Sequence, residues 1–246
     1  MKHSTIFLLL LLPLLVMRGQ GTTTSSPYVL SWGLDAPLTG AGLGTMGVAF
    51  YLDKHKPSLT ESDLAALSVQ QIPRFDRWSA HYWSPKAQKV SDVLLYSSGA
   101  LPLLLLIDPK VRRDAGTVAA ITAETYLLTA ALTSLTKNIV QRPRPYTYNT
   151  QLSLSQRSDH DATASFFSGH TSMTAAASFM TAKMYSDYNP DSPARPYVWT
   201  AAALLPLATA YLRVRGGKHF TSDVLVGYLV GAGLGLLLPE LHRRQP

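Results

Sequence analysis

Apolar stretches alternate with short polar connections along most of the chain, with no low-complexity tract, heptad pattern or internal repeat. Six stretches read as long helices: residues 37–52, 90–107, 116–136, 164–185, 197–214 and 221–238. Most approach the ~20 residues that cross a bilayer. Ser, Thr and Glu124 interrupt several of them, so one face suits lipid while none is apolar all round. Gly40 and Gly44, then Gly227, Gly231 and Gly235, recur four residues apart, a spacing that lets helix backbones approach closely. The pattern predicts an all-α fold, a bundle of about six long, membrane-embedded helices. A soluble bundle is the alternative.

The N-terminus follows a different rule. Lys2 and His3 precede an apolar run at 6–17, then Arg18 and a small, polar stretch. Twelve residues at ~1.5 Å each fall short of the hydrocarbon core, so residues 1–21 are expected to be a signal or targeting segment rather than an anchor. Residues 22–89 are expected to form an N-terminal helix and an amphipathic connection. In that connection Phe75, Trp78, Tyr82 and Trp83 sit among charges, as suits a helix lying at a membrane surface. Residues 90–240 form the expected core.

Composition narrows the chemistry. Of 246 residues, 46% are apolar and only 15% charged, below the ~25% usual for soluble domains. Cysteine is absent, which excludes disulfides, thiolate metal sites and a cysteine nucleophile. A net charge of +7 fits nucleic acid, anionic lipid or a phosphate-bearing substrate, and only the position of the charges separates these.

The charges fall in three clusters. Lys137, Arg142 and Arg144 lie on a turn stiffened by Pro143 and Pro145 just after the third long helix. Arginine offers phosphate a planar fork of donors, and lysine adds a point charge. By itself such a turn equally suits lipid headgroups. Ser168, Gly169 and His170 open the fourth helix, where free backbone N–H groups favour an anion and glycine lets it come close. A lone histidine there is as readily a cap. Arg213, His219 and Asp223 join the fifth helix to the sixth; at four-residue spacing a carboxylate can accept from one imidazole nitrogen and leave the other free as nucleophile or base. The bland equivalent is a surface His/Asp pair.

An up-and-down bundle brings all three clusters to one end. Lys137, Arg144, Arg213, the Ser168–Gly169 backbone, His170 and His219 then surround one anion. Attack on phosphorus by His219, with protonation of the leaving oxygen by His170, makes a complete in-line displacement with the cations stabilising equatorial charge. The sequence offers no evident carboxylate or histidine set for a metal, and no cofactor is expected.

These residues resemble the type 2 phosphatidic acid phosphatase superfamily, which includes bacterial acid phosphatases and vanadium haloperoxidases, through the patterns KxxxxxxRP, SGH and RxxxxxHxxxD. Lys137, Arg144 and Pro145 match the first, Ser168, Gly169 and His170 the second, and Arg213, His219 and Asp223 the third, over about residues 90–240. The resemblance implies a phosphoric monoester hydrolase. In it His219 forms a phosphohistidine, Asp223 orients His219, His170 is the general acid, and Lys137, Arg144, Ser168, Gly169 and Arg213 bind phosphate. Phe167 and Leu212 replace the proline and serine usual at those positions. Arg142, Arg215 and Lys218 fall outside the matched positions and are expected to attract anions at long range.

The reading that follows is a metal-independent phosphatase acting on lipid phosphomonoesters or pyrophosphates of phosphatidate, polyprenyl or lipid A type. Its expected partners are that substrate and membrane lipids, not nucleic acid. The alternatives are a soluble periplasmic acid phosphatase, a vanadate-dependent haloperoxidase and a non-catalytic anion-binding or transport protein. Lys110, Arg112, Arg113, Lys183, Arg195, Arg243 and Arg244 lie opposite the motif face, which favours a cytosolic position for that side. The expected setting is a bacterial-type inner membrane with the site facing the periplasm, although a spanning helix at 37–52 after a cleaved signal reverses this parity.

Overall fold

The computed structural model describes residues 26–244. The expected targeting segment at 1–21 lies outside them. Among the described residues the fold is all-α, its only pairing of β type being an isolated bridge between Tyr28 and Arg243.

Helix α1 (Trp32–His55) has Asp35 in its first turn and Lys54 and His55 in its last, matching the helix dipole at both ends. The connection after it is not one amphipathic helix. It is broken into α2 (Glu61–Ala66), α3 (Arg74–Arg77) and two 3-10 turns, with Phe75 and Trp78 left exposed. Helix α4 (Pro85–Gly99) starts on the cap Ser84 with Pro85 at its first position. The single helix expected at 90–107 therefore begins earlier, and it breaks before α5 (Leu101–Leu105), where Pro102 takes up a new first turn. Short α6 (Pro109–Arg113) leads into α7 (Ala115–Val140), which ends on Gln141 in the left-handed region at φ 46°. After α8 (Leu154–Arg157) come α9 (Gly169–Tyr188), α10 (Arg195–Arg215) and α11 (Thr221–Leu241). Five of the six long helices expected are present as single helices and the one at 90–107 is split, while the short ones raise the total among the described residues well above six.

Helix α9 is the centre of the bundle, packed by α11, α10, α7, α4 and α5. Its buried positions are mostly Ala, Ser and Thr, so its neighbours approach its backbone. The approach is closest along α11. A Cβ on Gly227, Gly231 or Gly235 would lie 2.6, 2.0 and 2.5 Å from the carbonyl oxygens of Ser168, Ser172 and Ala176. The four-residue glycine spacing is thus a groove for α9, and it seats the N-terminal turn of α11 over the N-terminus of α9.

Helices α1 and α7 run parallel, joined by Thr39 to Glu124 and by Asn138 to the Ala49 carbonyl. The ends of α1, α7 and α10 and the starts of α4, α9 and α11 share one end of the bundle. Contacts there include Asp53 with His160, Gln88 with the Gly216 carbonyl, and Lys137 with the Ala164 carbonyl. The chain between Ser26 and Ser31 lies at the other end, beside His242 and Arg243. Among the described residues three segments are long and apolar enough to cross a membrane: Ala115–Tyr148, Arg195–Arg215 and Thr221–Leu241. Exposed apolar side chains such as Ile139, Leu204 and Leu229 face outward from them.

Candidate active site

The site grows from a short non-helical segment of turns and bends, 162–168, that the helical expectation for 164–185 did not foresee. Its backbone pairs elsewhere: the amide of Ser165 donates to the Arg142 carbonyl, the amide of Arg144 to the Ala162 carbonyl, and the amide of Ser168 to the Asp223 carbonyl. With those groups committed, the α9 helix can start only at Gly169, capped by Ser168, whose Oγ accepts from the Thr171 amide. Gly169 sits against α7, where a Cβ would come within 3.1 Å of Thr133 Cγ2 and 3.8 Å of Lys137 Cε. The anion-binding turn and the first cation are thereby fixed side by side.

His219 is buried, at 1% exposure. Its Nδ1 lies 2.7 Å from the Ser165 carbonyl, which can only accept, so Nδ1 carries the proton and a neutral ring has its lone pair on Nε2. That Nε2 is buried and has no hydrogen-bond partner among the described residues. The carboxylate of Asp223 stands 3.8 Å from Nδ1. Direct acceptance, as the four-residue spacing suggested, is therefore replaced by a relay. Asp223 Oδ2 accepts from Ser165 Oγ at 2.5 Å and from the Phe220 amide at 2.8 Å, holding the segment whose carbonyl orients His219.

Arg142 completes this support and corrects another expectation. It is not a long-range attractor: its two terminal nitrogens reach Asp223 Oδ1 at 2.6 Å and Asp76 Oδ2 at 2.8 Å, and its guanidinium lies 4.2 Å from the Phe220 ring centroid. Asp76, from α3, also accepts from the Ser222 amide. Arg215 packs on Tyr82, while Lys218 stacks on Tyr146, 4.5 Å from its ring centre.

The remaining cations act on the histidines through their charge. Arg144 is buried, with Nε donating to the Asp161 carbonyl at 2.8 Å, and Lys137 Nζ donates to the Ala164 carbonyl at 3.0 Å. Arg213 is buried on α10, where it contacts Ser91 Oγ at 3.2 Å and Asp92 Oδ1 at 3.5 Å. His170 Nε2 is 2.8 Å from the same Asp92 oxygen. Burial first, then the charges of Arg144, Lys137 and Arg213, hold the His219 imidazole well below its usual pKa. His170 is pushed down likewise, by burial first and then by Arg213 and the neighbouring His219, Lys137 and Arg144. Burial and then Arg144 bring Lys218 down to about 8. So much positive charge around neutral imidazoles is an arrangement short of an anion.

The eight residues to which the sequence resemblance gave catalytic or phosphate-binding roles all lie at this end of the bundle. Three supporting residues were missed there: Ser165, Asp76 and Asp92. A second buried His/carboxylate cluster, Asp35 with Glu124 and His242, was also missed, and it lies at the opposite end of α11.

The family model of the PAP2 superfamily matches residues 118–246, more than half of the chain and a span that holds Lys137 through Asp223. The chain belongs to the PAP2 superfamily. Compared with curated proteins and with solved structures, it gives no match. Membership in the PAP2 superfamily supports hydrolase activity in general, and with three membrane-length helices it marks a helical membrane protein of that superfamily.

Proposed function

We propose that this PAP2 protein is a lipid phosphatase that works through a phosphohistidine on His219. One observation carries the reading: a neutral imidazole, tautomer set by the Ser165 carbonyl, has a buried Nε2 with no hydrogen-bond partner among the described residues and lies in the field of Lys137, Arg144 and Arg213. His219 Nε2 attacks phosphorus; the bond to the leaving oxygen breaks as His170 gives that oxygen its proton. Lys137, Arg144, Arg213 and the Gly169 and His170 amides that open α9 stabilise the charge on the equatorial oxygens. Water, deprotonated by the now neutral His170, then attacks the phosphohistidine and releases phosphate and His219. Three apolar helices and the exposed Phe75 and Trp78 beside the site favour a lipid over a soluble ester.

Cations opposite the site, Lys110, Arg112, Arg113, Lys183, Arg195, Arg243 and Arg244, support a periplasmic active site in a bacterial-type inner membrane. Helix α1, whose first turn lies at the end of the bundle away from the site, then starts on the cytosolic side. Residues 90–240 act as the phosphatase core, preceded by the N-terminal helix and connection of 22–89.

Detergent-purified protein with EDTA present, assayed well below its melting temperature, is expected to release phosphate faster from phosphatidate or a polyprenyl pyrophosphate than from p-nitrophenyl phosphate. Preference for the soluble ester overturns the lipid reading. No release from any of them overturns the phosphatase reading.

The pH profile supplies a second expectation. His219 must be neutral and His170 protonated, and both are held below the ordinary 6.5. The maximum of kcat/KM is expected on the acid side of 6.5, with the alkaline limb set by His170. Asp92 favours the protonated form of His170, so Asp92→Asn is expected to move that limb to still lower pH, as read from kcat/KM profiles of the two proteins. An unmoved limb would show that Asp92 does not act on the proton of His170.

A further inference from the structure

About 30 Å from His219, the length of α11 at 1.5 Å per residue, a second set of ionisable groups meets inside the bundle. Asp35 comes from the first turn of α1, Glu124 from the middle of α7, and His242 from the residue that caps α11. His242 Nε2 is 2.8 Å from Asp35 Oδ1 and 3.2 Å from Glu124 Oε2, and the three ligand atoms all lie within 4.8 Å of one another. His242 is 1% exposed and Glu124 6%.

Each of the three is oriented from behind. His242 Nδ1 is 2.7 Å from the Leu238 carbonyl, an acceptor, so Nδ1 carries a proton and the lone pair of a neutral ring is on Nε2, aimed at the two carboxylates. Such backing of the far ring nitrogen by a carbonyl is the usual support of a metal-binding histidine. Asp35 Oδ2 accepts from the Ser31 amide and Glu124 Oε1 from the Thr39 hydroxyl, which leaves Oδ1 and Oε2 for the centre. Glu124 Oε2 is buried and, apart from the His242 ring 3.2 Å away inside the cluster, has no polar partner among the described residues.

The charges do not balance from protein groups alone. Among the described residues neither carboxylate is ion-paired with a lysine or arginine; His242 is their one basic partner. A proton on His242 leaves a net negative charge in a buried site, whereas a divalent cation on a neutral imidazole brings the set to zero. Donors bonded to one ion at about 2.1 Å each stand about 3.0–3.4 Å apart. The separations of 2.8 and 3.2 Å from His242 Nε2 need only small relaxation to reach that, and the two carboxylate oxygens start within 4.8 Å of each other. One imidazole with two carboxylates suits a first-row transition ion; calcium and magnesium favour oxygen donors alone.

We propose that Asp35, Glu124 and His242 bind a divalent transition-metal ion, Zn2+ by donor set, that ties the start of α1 and the end of α11 to α7. The site stands apart from phosphoryl chemistry and does not depend on the proposed function. In the fold it closes the end of the bundle where the glycine groove of α11 finishes, and where Val29 and Arg244 join the two chain segments through backbone hydrogen bonds.

The test uses the full chain, purified in detergent without a His-tag or chelator. Metal analysis is expected to find about one equivalent of a transition metal, less than about a tenth of that in Glu124→Gln or His242→Gln. Dialysis against EDTA is expected to lower Tm, and Zn2+ but not Mg2+ to restore it. Co2+ added to the stripped protein is expected to give visible d–d absorption that Glu124→Gln lacks. Should the variants fail to fold, the metal content, EDTA response and Co2+ spectrum of the unaltered chain decide the matter. The proposal is overturned if the isolated protein holds no metal and neither EDTA nor Zn2+ moves its Tm, which leaves a proton-bridged ion cluster. It is equally overturned if folded Glu124→Gln and His242→Gln keep the metal.

Discussion

His219→Gln is expected to lower phosphate release by about a thousandfold or more while the protein stays folded. Glutamine is neutral and close to histidine in length, so the buried place stays filled while the nucleophilic Nε2 lone pair is lost. Stopped with denaturant during turnover of a labelled ester, the unaltered chain should carry acid-labile phosphate on protein, and His219→Gln none. His170→Gln separates the second role. It should cost far more on a lipid phosphate, whose alkoxide needs a proton to leave, than on p-nitrophenyl phosphate, whose phenolate leaves unaided. Equal losses on both would show that His170 binds phosphate rather than protonating the leaving group. Stability carries an independent mark. The His219 pKa is depressed in the fold, so below about 6.5 the unfolded chain binds a proton that the folded chain does not, and stability falls as pH falls through that range. His219→Gln should weaken this acid lability, as read from Tm between pH 7 and pH 5. If the His219→Gln protein releases phosphate as fast as the unaltered chain, another group is the nucleophile.

What the sequence disclosed of this site, and what it concealed, divides along the range of the interactions. His219 and Asp223 are four apart and Lys137 and Arg144 seven apart, so local spacing already joins them, and bundle parity brings the clusters to one end. The glycines of α11 were legible as a close-packing stripe, and they are one. The role of Arg142 was not legible, because its partners Asp76 and Asp223 are 66 and 81 positions away and neither leaves a periodic signal. The start of α9 was misplaced by five residues for the same reason: Ser165 and Ser168 give their amides to Arg142 and Asp223, long-range bonds that override a pattern apolar enough for helix. Asp92 and the Asp35, Glu124 and His242 set were hidden likewise, each residue lying alone in its own segment and meeting the others only in the packed bundle. The break at Gly99 and Pro102 was visible in the letters but outweighed by the leucines that follow.

Arg142→Met is expected to cost about 3–5 kcal/mol of stability, because it leaves Asp76 and Asp223 buried as uncompensated carboxylates. For a chain of this size that corresponds to a fall in Tm on the order of 10 °C. Methionine retains much of the packing on Phe220, so the loss is one of charge rather than volume. Activity should fall with it: a released Asp223 no longer holds Ser165, and the Ser165 carbonyl sets the tautomer of His219. Arg142→Lys should recover only part, since one ammonium cannot span carboxylates on α3 and α11 as the guanidinium fork does. Arg215→Met is the control. That cation lies exposed on Tyr82, and its loss should stay within about 0.5 kcal/mol and leave release unchanged. A double-mutant cycle gives the sharper reading. With Arg142 absent, Asp76→Asn removes an unpaired charge, so it should destabilise far less than in the unaltered chain, or even stabilise. Additive losses would mean that Arg142 and Asp76 act separately and that the N-terminal turn of α11, with His219 just before it, is seated by the α9 groove alone.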